Sequence, residues 1–419
     1  GRGRRAGARA VLRLATTSAA RWSLGIAALT LAVQNGIVMA FAVLYLPLVS
    51  EFAAPRAEVA GIQSVALLLG GFTGPLVGWG LDRLGPRRFF PACAVLAACG
   101  LVLASRAESL AGLALTYGVL CGLGLSGLGS QANMTVAALW YPQARGRAIA
   151  LVDLGTGLGA FAFIPLAQVL VSWTNWRGVL LVWAALLLCL IAPANLIQRL
   201  PDGAPTPTVA GGGRRARVPT ARAHWTLRRA VRTGAFWNLV ASRGCSAMAF
   251  PLMNVHMVAF AIGAGVEPAQ AAAALGSVSL VSLGGRLCTG WLADRIGRAQ
   301  TLSVTYASAA CGIACLTALS WHGWRGWLLG YVLFYGFAQG SGGIVASART
   351  ADLFAGPTFA TIYGWMSLGV GPGEAIGAWA GGAIYDATGS YLGAFAVVVV
   401  ALVLAVAMMG RVRQPAGSA

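Results

Sequence analysis

Four charged side chains lie within long apolar stretches of the sequence: Asp153, Arg243, Arg286 and Glu374. Charged groups are costly inside a bilayer, and where they occur they bind a ligand, carry a proton or pair with one another. A guanidinium can hold a carboxylate through two parallel hydrogen bonds. A carboxyl group can exchange a proton when burial favours its neutral form and a nearby arginine favours its charged form. These residue types predict an anion-binding site with Asp153 and Glu374 as proton-coupling candidates; permanent ion pairs are the alternative.

The composition indicates which elements must position these residues. Hydrophobic residues make up 58% of the 419 residues and charged residues only 10%, whereas soluble domains carry about 25% charged residues. Residues 25–49, 178–197 and 394–409 contain no charged side chain. Runs of this length can cross most or all of a ~30 Å hydrocarbon layer. The sequence therefore predicts an integral membrane protein.

The net charge of +19 comes from arginines, because the sequence contains no lysine. The arginines cluster in alternate polar connections, and the connections between them carry single arginines or none. This positive-inside pattern predicts a plasma (inner) membrane protein with both termini in the cytoplasm. It also explains the excess of basic residues without nucleic-acid binding. The expected partners are the lipid bilayer, a small substrate and protons. The expected oligomeric state is a monomer.

Twelve apolar segments alternate with short polar turns, near residues 24–50, 58–80, 89–105, 110–139, 147–171, 177–198, 234–262, 269–292, 301–320, 325–348, 357–384 and 390–410. The polar stretch 198–232 divides them six and six. We therefore expect an all-α membrane protein with twelve transmembrane helices in two pseudo-symmetric six-helix bundles. The expected domains are a basic cytoplasmic N-terminus (1–23), an N-terminal bundle (24–198), a cytoplasmic linker (199–233), a C-terminal bundle (234–410) and a cytoplasmic tail (411–419).

One short motif occurs in both halves, each time after the second helix. Its five residues recur at a constant offset of 212 positions: Gly78, Trp79, Asp82, Arg83 and Gly85 correspond to Gly290, Trp291, Asp294, Arg295 and Gly297. Internal duplication, with a binding site between the two halves, is the plan of many secondary transporters. The repeat therefore supports two equivalent bundles.

With Arg87 included, the first copy reads Gly-x-x-x-Asp-Arg-x-Gly-x-Arg and resembles the signature loop of the major facilitator superfamily. The helix number, the central linker and the second copy, which ends in Arg298, extend this resemblance over nearly the whole chain. The segments 284–286 (Gly-Gly-Arg), 371–372 (Gly-Pro) and 386–391 (Asp-Ala-Thr-Gly-Ser-Tyr) further resemble the monocarboxylate porter and oxalate/formate antiporter branch. The resemblance implies a secondary active transporter that moves a small organic anion, expected to be a monocarboxylate, by alternating access. Coupling to a proton or exchange for another anion is then the expected energy source.

The resemblance also implies roles for single residues. In that branch an arginine at the position of Arg286 binds the anionic substrate. Arg286 lies eight residues before Asp294, which places it roughly 12 Å into the membrane. Animal monocarboxylate porters carry an aspartate one turn before this arginine, where this sequence has Ser282. Dicarboxylate exchangers carry a lysine in helix 11, so the lack of lysine favours one carboxylate per substrate.

The loop residues are implied to form a charge network that holds a cytoplasmic gate shut: Gly78, Asp82, Arg83, Gly85, Arg87, Asp294, Arg295 and Arg298. Arg243 has two open interpretations, because it can add positive potential to the substrate site or neutralise Asp153 or Glu374. Three amides are expected either to contact the substrate or to join helices by hydrogen bonds: Gln34, Asn35 and Asn133.

The sequence contains no nucleophile–base pair, and its eight cysteines lie in apolar runs without histidine or carboxylate neighbours. We therefore expect no enzyme activity, no catalytic residues, no metal site and no cofactor. Two other functions stay open. One is an exporter of amphipathic compounds from the same superfamily, which would not depend on Arg286, and the other is a membrane receptor without transport activity.

Overall fold

The computed structural model describes residues 18–141, 144–198, 200, 225–354, 359–367 and 369–412. These residues form helices joined by short turns. The helices are α1 (Ser18–Phe52), α2 (Arg56–Phe72 and Gly74–Leu84), α3 (Pro86–Ala104), α4 (Leu110–Trp140), α5 (Arg145–Trp173), α6 (Trp176–Leu196), α7 (Gly234–Gly263), α8 (Pro268–Arg295), α9 (Arg298–His322), α10 (Gly326–Ala338 and Ser341–Leu353), α11 (Phe359–Ser367 and Val370–Thr388) and α12 (Leu392–Gly410). The expected all-α membrane fold is confirmed.

Length and hydropathy make these helices membrane spans. Ten of the described helices are long and apolar enough to cross a bilayer, and the two segments of α2 together make an eleventh. The longer segment of α11, Val370–Thr388, has 19 residues and spans about 28 Å at the α-helical rise. Its glycines and Glu374 lower its mean hydropathy, so it is not among the ten apolar helices.

The bend in α2 has a local cause. The axes of its two segments differ by 59°, and Pro75 is the second residue of the segment Gly74–Leu84. A proline has no N–H and its ring clashes with the carbonyl four residues earlier, here that of Gly71. The first segment therefore ends at Phe72, and the second continues in a new direction.

The first six helices pack into one bundle and the last six into another. In the first bundle α1 packs on α5, and α3 packs on α4 and α6. In the second bundle α7 packs on α11 and α12, and α9 packs on α10. The main contacts between the described parts of the bundles are made by the pairs α2–α11, α5–α8 and α1–α7. Glycines permit the closest approach, since a Cβ added to Gly71 would lie 2.5 Å from the Cα atom of Gly371.

The sequence repeat is also a structural repeat. Gly85 separates α2 from α3 with φ of 70°, and Gly297 separates α8 from α9 with φ of 92°. Only glycine adopts this backbone region without a steric cost. In each copy the arginine covers the tryptophan four residues earlier. The distance from ring centroid to guanidinium carbon is 5.3 Å for Arg83 over Trp79 and 4.4 Å for Arg295 over Trp291. The two loops therefore have the same local construction.

The two ends of the molecule differ in how closely the bundles approach. We call the end with Gly85 and Gly297 the signature side, and the end with the α1–α2 and α11–α12 turns the opposite side. In the middle, Ser64 Oγ on α2 donates to the Ala375 carbonyl on α11 at 2.8 Å. Toward the signature side, the segment Gly74–Leu84 makes its main contacts with its own bundle. The described bundles are therefore joined from the opposite side to the centre and separate toward the signature side.

Most of the expected linker lies outside the described residues, as do residues 1–17 and 413–419. The described part of the linker contains one short helical turn, Leu227–Ala230, before α7 begins at Gly234 with Thr233 as its N-cap. In the first bundle, α1 is already helical at Ser18, the first described residue, which lies within the segment expected to be a polar N-terminus.

Candidate functional site

A cavity of about 210 Å³ lies between the two bundles at the centre of the molecule. Its walls come from α1 and α2 of the first bundle and from α7, α8, α10 and α11 of the second. Among its lining residues, those with polar or charged side chains are Gln63, Arg243, Ser246, Asn254, Arg286, Gln339 and Glu374. The cavity therefore combines apolar walls with a small number of convergent polar groups, as ligand sites do.

Arg286 of α8 forms an ion pair across the two bundles. Its Nη1 atom donates to Asp153 Oδ2 of α5 at 2.6 Å and to Thr156 Oγ1 at 3.1 Å. Its Nε atom is buried and has no partner among the described residues. A buried donor without a partner costs free energy. Arg286 therefore keeps one buried donor unsatisfied, although a quarter of its side chain is exposed.

The ion pair with Asp153 gives Arg286 an acidic partner, which its own helix lacks one turn earlier. One turn before the arginine, Ser282 donates its hydroxyl to the Ser279 carbonyl and offers no charge. Asp153 approaches instead from the other bundle, which makes the ion pair a link between α5 and α8. This is the pairing stated above as the alternative to substrate contact, and it uses one of the two terminal guanidinium nitrogens.

Arg243 of α7 and Glu374 of α11 also line the cavity. Neither forms an ion pair with any residue that the structure describes. Of the two partners considered for Arg243, Asp153 is paired with Arg286, and Glu374 lies beyond ion-pair distance. Arg243 therefore lines the cavity without an ion pair to any described residue, and Glu374 is a nearby charge on the same cavity wall.

A break in α10 lies between the two arginines. The helix is interrupted at Gln339 and Gly340 and resumes at Ser341. A Cβ added to Gly340 would lie 2.6 Å from Arg286 Nε, and one added to Gly343 would lie 3.5 Å from Arg243 Nη2. The start of a helix carries positive partial charge, and such interrupted helices hold anions in other transporters. Two guanidinium groups and one helix start therefore converge on the same wall.

This arrangement matches a known family. The sequence profile of the Major Facilitator Superfamily matches residues 24–342. The chain belongs to the major facilitator superfamily. Similar proteins include Monocarboxylate transporter 13 of Bos taurus, 30% identical over 365 residues that cover 86% of this chain and 82% of that protein. Monocarboxylate transporter 3 of Rattus norvegicus is 29% identical over 85% of this chain and 72% of that protein.

Solved structures support the same fold for this major facilitator protein. A bacterial homologue of the human lysosomal transporter Spinster, in an inward-facing and unoccupied conformation, has a TM-score of 0.67 at 15% identity. The alignment covers 94% of this chain and 96% of that chain. The predicted resemblance to the superfamily and to its monocarboxylate transporters is thus confirmed. The protein is a membrane transporter of this superfamily, whose members are not enzymes.

The three amides predicted as possible substrate contacts do not line the cavity. Asn35 of α1 donates its side-chain amide to the Thr156 carbonyl of α5 at 2.7 Å, and so joins two helices. Asn133 is fully buried and donates to the carbonyls of Leu128 and Gly129 at 2.7 and 3.1 Å, which bridges an irregular turn within α4. Gln34 is half-buried beside Asn35 on α1 but is also not among the lining residues.

The loop residues form a charge network in the second half. Arg298 donates to Asp294 at 2.8 Å and to Asp352 of α10 at 3.3 Å. In the first half, neither Asp82 nor Arg87 forms an ion pair with a described residue. The position that corresponds to Arg298 is Pro86, which has no charge to offer. Gly78 and Gly290 both face open space in this conformation.

Five polar residues of the site escaped the sequence interpretation: Gln63, Thr156, Ser246, Asn254 and Gln339. Thr156 lies one turn after Asp153 on the same face of α5, and helical spacing was a usable signal for it. Gln339 and Asn254 are hydrogen-bonded to each other at 3.3 Å. Only the packing of α10 against α7 brings them together, so their separation of 85 residues concealed the pair.

Proposed function

We propose that this protein is a secondary active transporter of a small monocarboxylate, working by alternating access and coupled to a proton or to exchange of another anion. The observation that carries the proposal is the state of Arg286. The side chain lies at the cavity wall, is tied to the opposite bundle through Asp153, and keeps a buried Nε donor without a described partner. A substrate carboxylate can compete with Asp153 for the terminal nitrogens, because guanidinium and carboxylate match in bidentate geometry.

The same ion pair supplies a coupling mechanism. While Asp153 is ionised, it holds Arg286 and links α5 to α8. Protonation of Asp153 removes its charge, frees Arg286 for the substrate carboxylate and weakens the link between the bundles. Glu374, which faces the same cavity, is the second candidate for carrying a proton. The Asp153–Arg286 ion pair then changes with substrate binding, with protonation and with bundle movement. Coupling requires such a shared interaction.

The size and charge of the cavity favour a small anion over the alternative functions. A volume of about 210 Å³ is below the ~300–1,000 Å³ typical of sites for drug-sized ligands. An exporter of amphipathic compounds needs a larger and more aromatic cavity. The two arginines at its wall favour a carboxylate, and the similar proteins described above, which are monocarboxylate transporters, agree with that class.

The arginine-rich connections support an orientation with the signature side and both termini in the cytoplasm of a plasma membrane. The described conformation then opens inward, since the bundles are joined on the opposite side. We propose that segments 24–198 and 234–410 act as the two moving bundles and 199–233 as their linker. The signature loops, with Gly78, Asp82, Arg83 and Arg87, then close the cytoplasmic side in the other conformation. The described residues of one chain line the cavity from both bundles, which supports a monomer as the transporting unit.

Reconstituted protein tests the proposal. Proteoliposomes would be assayed for uptake of labelled lactate, pyruvate and propanoate with and without an inward pH gradient. We expect uptake by the wild type and its loss in Arg286→Ala. The matched control is Arg106→Ala, which removes an exposed arginine from the turn between α3 and α4 and is expected to retain uptake. Uptake that persists in Arg286→Ala would refute the carboxylate site, and absence of carboxylate uptake by the wild type would refute the proposed function.

A further inference from the structure

Arg56, the first residue of α2, places its guanidinium group against two aromatic rings of the other bundle. The guanidinium carbon lies 3.6 Å from the ring centroid of Tyr385 and 5.2 Å from that of Tyr391. One terminal nitrogen donates to the Tyr391 hydroxyl at 2.7 Å. Arg56 forms no ion pair with a carboxylate of the described residues. Its guanidinium group is therefore held by tyrosine rings and a hydroxyl, and not by an ion pair.

The two tyrosines are joined by one short turn of the second bundle. Tyr385 lies in the last part of α11, and Tyr391 is the N-cap of α12. Their ring centroids are 4.5 Å apart. Between them, Gly389 ends α11 with φ of 70° and donates its N–H to the Tyr385 carbonyl at 2.7 Å, which is a common way to end a helix in a defined turn. The turn therefore holds the two rings side by side through contacts of its own.

The ring of Tyr391 is also braced by neighbouring helices. It packs on His256 of α7 at 5.4 Å between ring centroids, and on Phe260 and Phe395 at 6.3 Å each. His256 is fully buried, and its Nε2 atom donates to the Ala378 carbonyl of α11 at 2.8 Å, which orients the imidazole ring. All of these residues belong to the second bundle. The aromatic site is therefore preorganised, and preorganisation favours ligand binding.

Asp386 adds a negative charge beside the two tyrosines. Its carboxylate oxygens accept the backbone N–H groups of Arg56 and Ala57, so both donors belong to the first bundle. When the bundles separate on the opposite side, α2 takes these donors and the Arg56 guanidinium away. A carboxylate, a tyrosine hydroxyl and two tyrosine rings then remain together on the second bundle. Aromatic faces attract cations, and the planar, weakly hydrated guanidinium group stacks on them better than a compact, strongly hydrated ammonium group.

We propose that Tyr385, Asp386 and Tyr391, here called the tyrosine site, bind small organic cations that carry a guanidinium group. Arg56 occupies the tyrosine site while the bundles are joined, and the site opens to solvent on the opposite side when they separate. A cation bound there keeps Arg56 out, and it favours the separated conformation because it binds only that conformation. This inference goes beyond the proposed function, since it does not depend on the central cavity or on the substrate that is carried.

The variant Arg56→Ala provides the first test, because it leaves the tyrosine site vacant in every conformation. Ethylguanidinium and ethylammonium would be compared at equal millimolar concentrations, with the Tm in detergent as the measurement. Binding to the folded protein raises the Tm, so we expect a larger rise with ethylguanidinium. Adding Tyr385→Leu to this variant should raise the concentration that gives half of the effect roughly three- to tenfold. Adding Tyr385→Phe, which keeps the ring, should leave that concentration unchanged.

Arg106→Ala is the matched control for Arg56→Ala. It removes an exposed arginine from the turn between α3 and α4, while Arg56 still fills the tyrosine site. We expect ethylguanidinium to leave its Tm unchanged at the concentrations that raise the Tm of Arg56→Ala. Equal rises in the two variants would mean that the cation binds elsewhere, and no rise in Arg56→Ala would mean that the vacant site has no affinity for guanidinium. Either result would overturn the inference.

A second test does not need the Arg56→Ala variant to fold. Nitroxide labels at positions 58 and 393 report the separation of the bundles on the opposite side in protein that retains Arg56. We expect ethylguanidinium to increase the population of long distances relative to ethylammonium at the same concentration, because it competes with Arg56 for the tyrosine site. Identical distance distributions with the two cations would overturn the inference. Neither test uses a carboxylate, so failure here leaves the proposed function intact.

Discussion

The carboxylate of Asp386, near the end of α11, accepts the backbone N–H of Arg56, the first residue of α2, at 2.9 Å. Its second oxygen accepts the N–H of Ala57 at 2.8 Å. Asp386 thus caps a helix that belongs to the other bundle. The Arg56 guanidinium lies 3.6 Å from the ring centroid of Tyr385 and donates to the hydroxyl of Tyr391 at 2.7 Å. We call these contacts the opposite-side latch, because they join the bundles at that end of the molecule.

The first prediction is that Asp386→Ala favours opening of the opposite side. Loss of an N-cap costs about 1 kcal/mol, and here the cost falls only on the conformation in which the bundles meet. A bias of that size changes the ratio of the two conformations about fivefold. Nitroxide labels at positions 58 and 393, in a variant without native cysteines, would report the change as a larger population of long distances.

Asn175→Ala is the matched control for the latch. Asn175 caps α6 by accepting the N–H of Gly178 at 2.9 Å, entirely within the first bundle. Its removal costs a similar free energy in both conformations and is expected to leave the label distances unchanged. Identical distance distributions in the Asp386→Ala variant and the wild type would show that Asp386 does not hold the bundles together.

The second prediction concerns the closest approach of α2 and α11. In Gly71→Ala the new methyl would lie 2.5 Å from Gly371 Cα, and overpacking of this kind costs about 1–3 kcal/mol. We expect the helices to separate, a lower Tm in detergent and more long distances between the labels at 58 and 393. Gly61→Ala, on the same helix with nothing within 4 Å of the added Cβ, is expected to keep or raise the Tm. A Tm in Gly71→Ala that equals that of Gly61→Ala would contradict the prediction.

The parts of this fold that follow from local physics were predictable from the sequence. Apolar runs specify membrane helices because a bilayer tolerates only backbone with internal hydrogen bonds. The duplicated motif predicted two equivalent loops, and the positive φ of Gly85 and Gly297 confirms them. The depth of Arg286 within α8 also followed, since it depends only on its distance in sequence from Asp294.

The parts that depend on contact between helices were not predictable from one sequence. Asp153 meets Arg286 because α5 packs on α8, and no local pattern encodes that pairing. No proline in the sequence marks the break at Gln339 and Gly340, and only the structure shows that it lies against Arg286 and close to Arg243. Asn133 resembled a ligand group in sequence, but its amide satisfies backbone carbonyls of its own helix.

The third prediction separates proton coupling from substrate binding. Asp153→Asn imitates the protonated aspartate and leaves Arg286 free for the substrate at every pH. We expect lactate counterflow to persist, while accumulation driven by a pH gradient is lost, because the residue can no longer gain or lose a proton. Asp153→Glu, which retains the acid, is expected to keep gradient-driven accumulation. Gradient-driven accumulation at the wild-type level in Asp153→Asn would assign the coupling to another group, with Glu374 as the next candidate.

The fourth prediction concerns the glycine beside the arginine. Gly340→Ala imposes two costs, because φ at this position is 89° and the added Cβ would lie 2.6 Å from Arg286 Nε. The positive φ lowers the stability of the variant, whereas displacement of Arg286 weakens substrate binding. Gly323→Ala separates the two: φ there is 63°, and nothing lies within 4 Å of the added Cβ. We expect both variants to have a lower Tm.

Only Gly340→Ala is then expected to bind carboxylates more weakly. The terminal guanidinium nitrogens need an alignment to within about 0.5 Å for a well-formed site. The added Cβ displaces the Nε atom and, with it, these nitrogens. We therefore expect the half-saturation concentration for lactate to rise at least about tenfold. Gly323→Ala should leave that concentration at the wild-type value. Equal transport kinetics in the two alanine variants would mean that Gly340 serves only the backbone turn, and that the space it leaves beside Arg286 has no part in substrate binding.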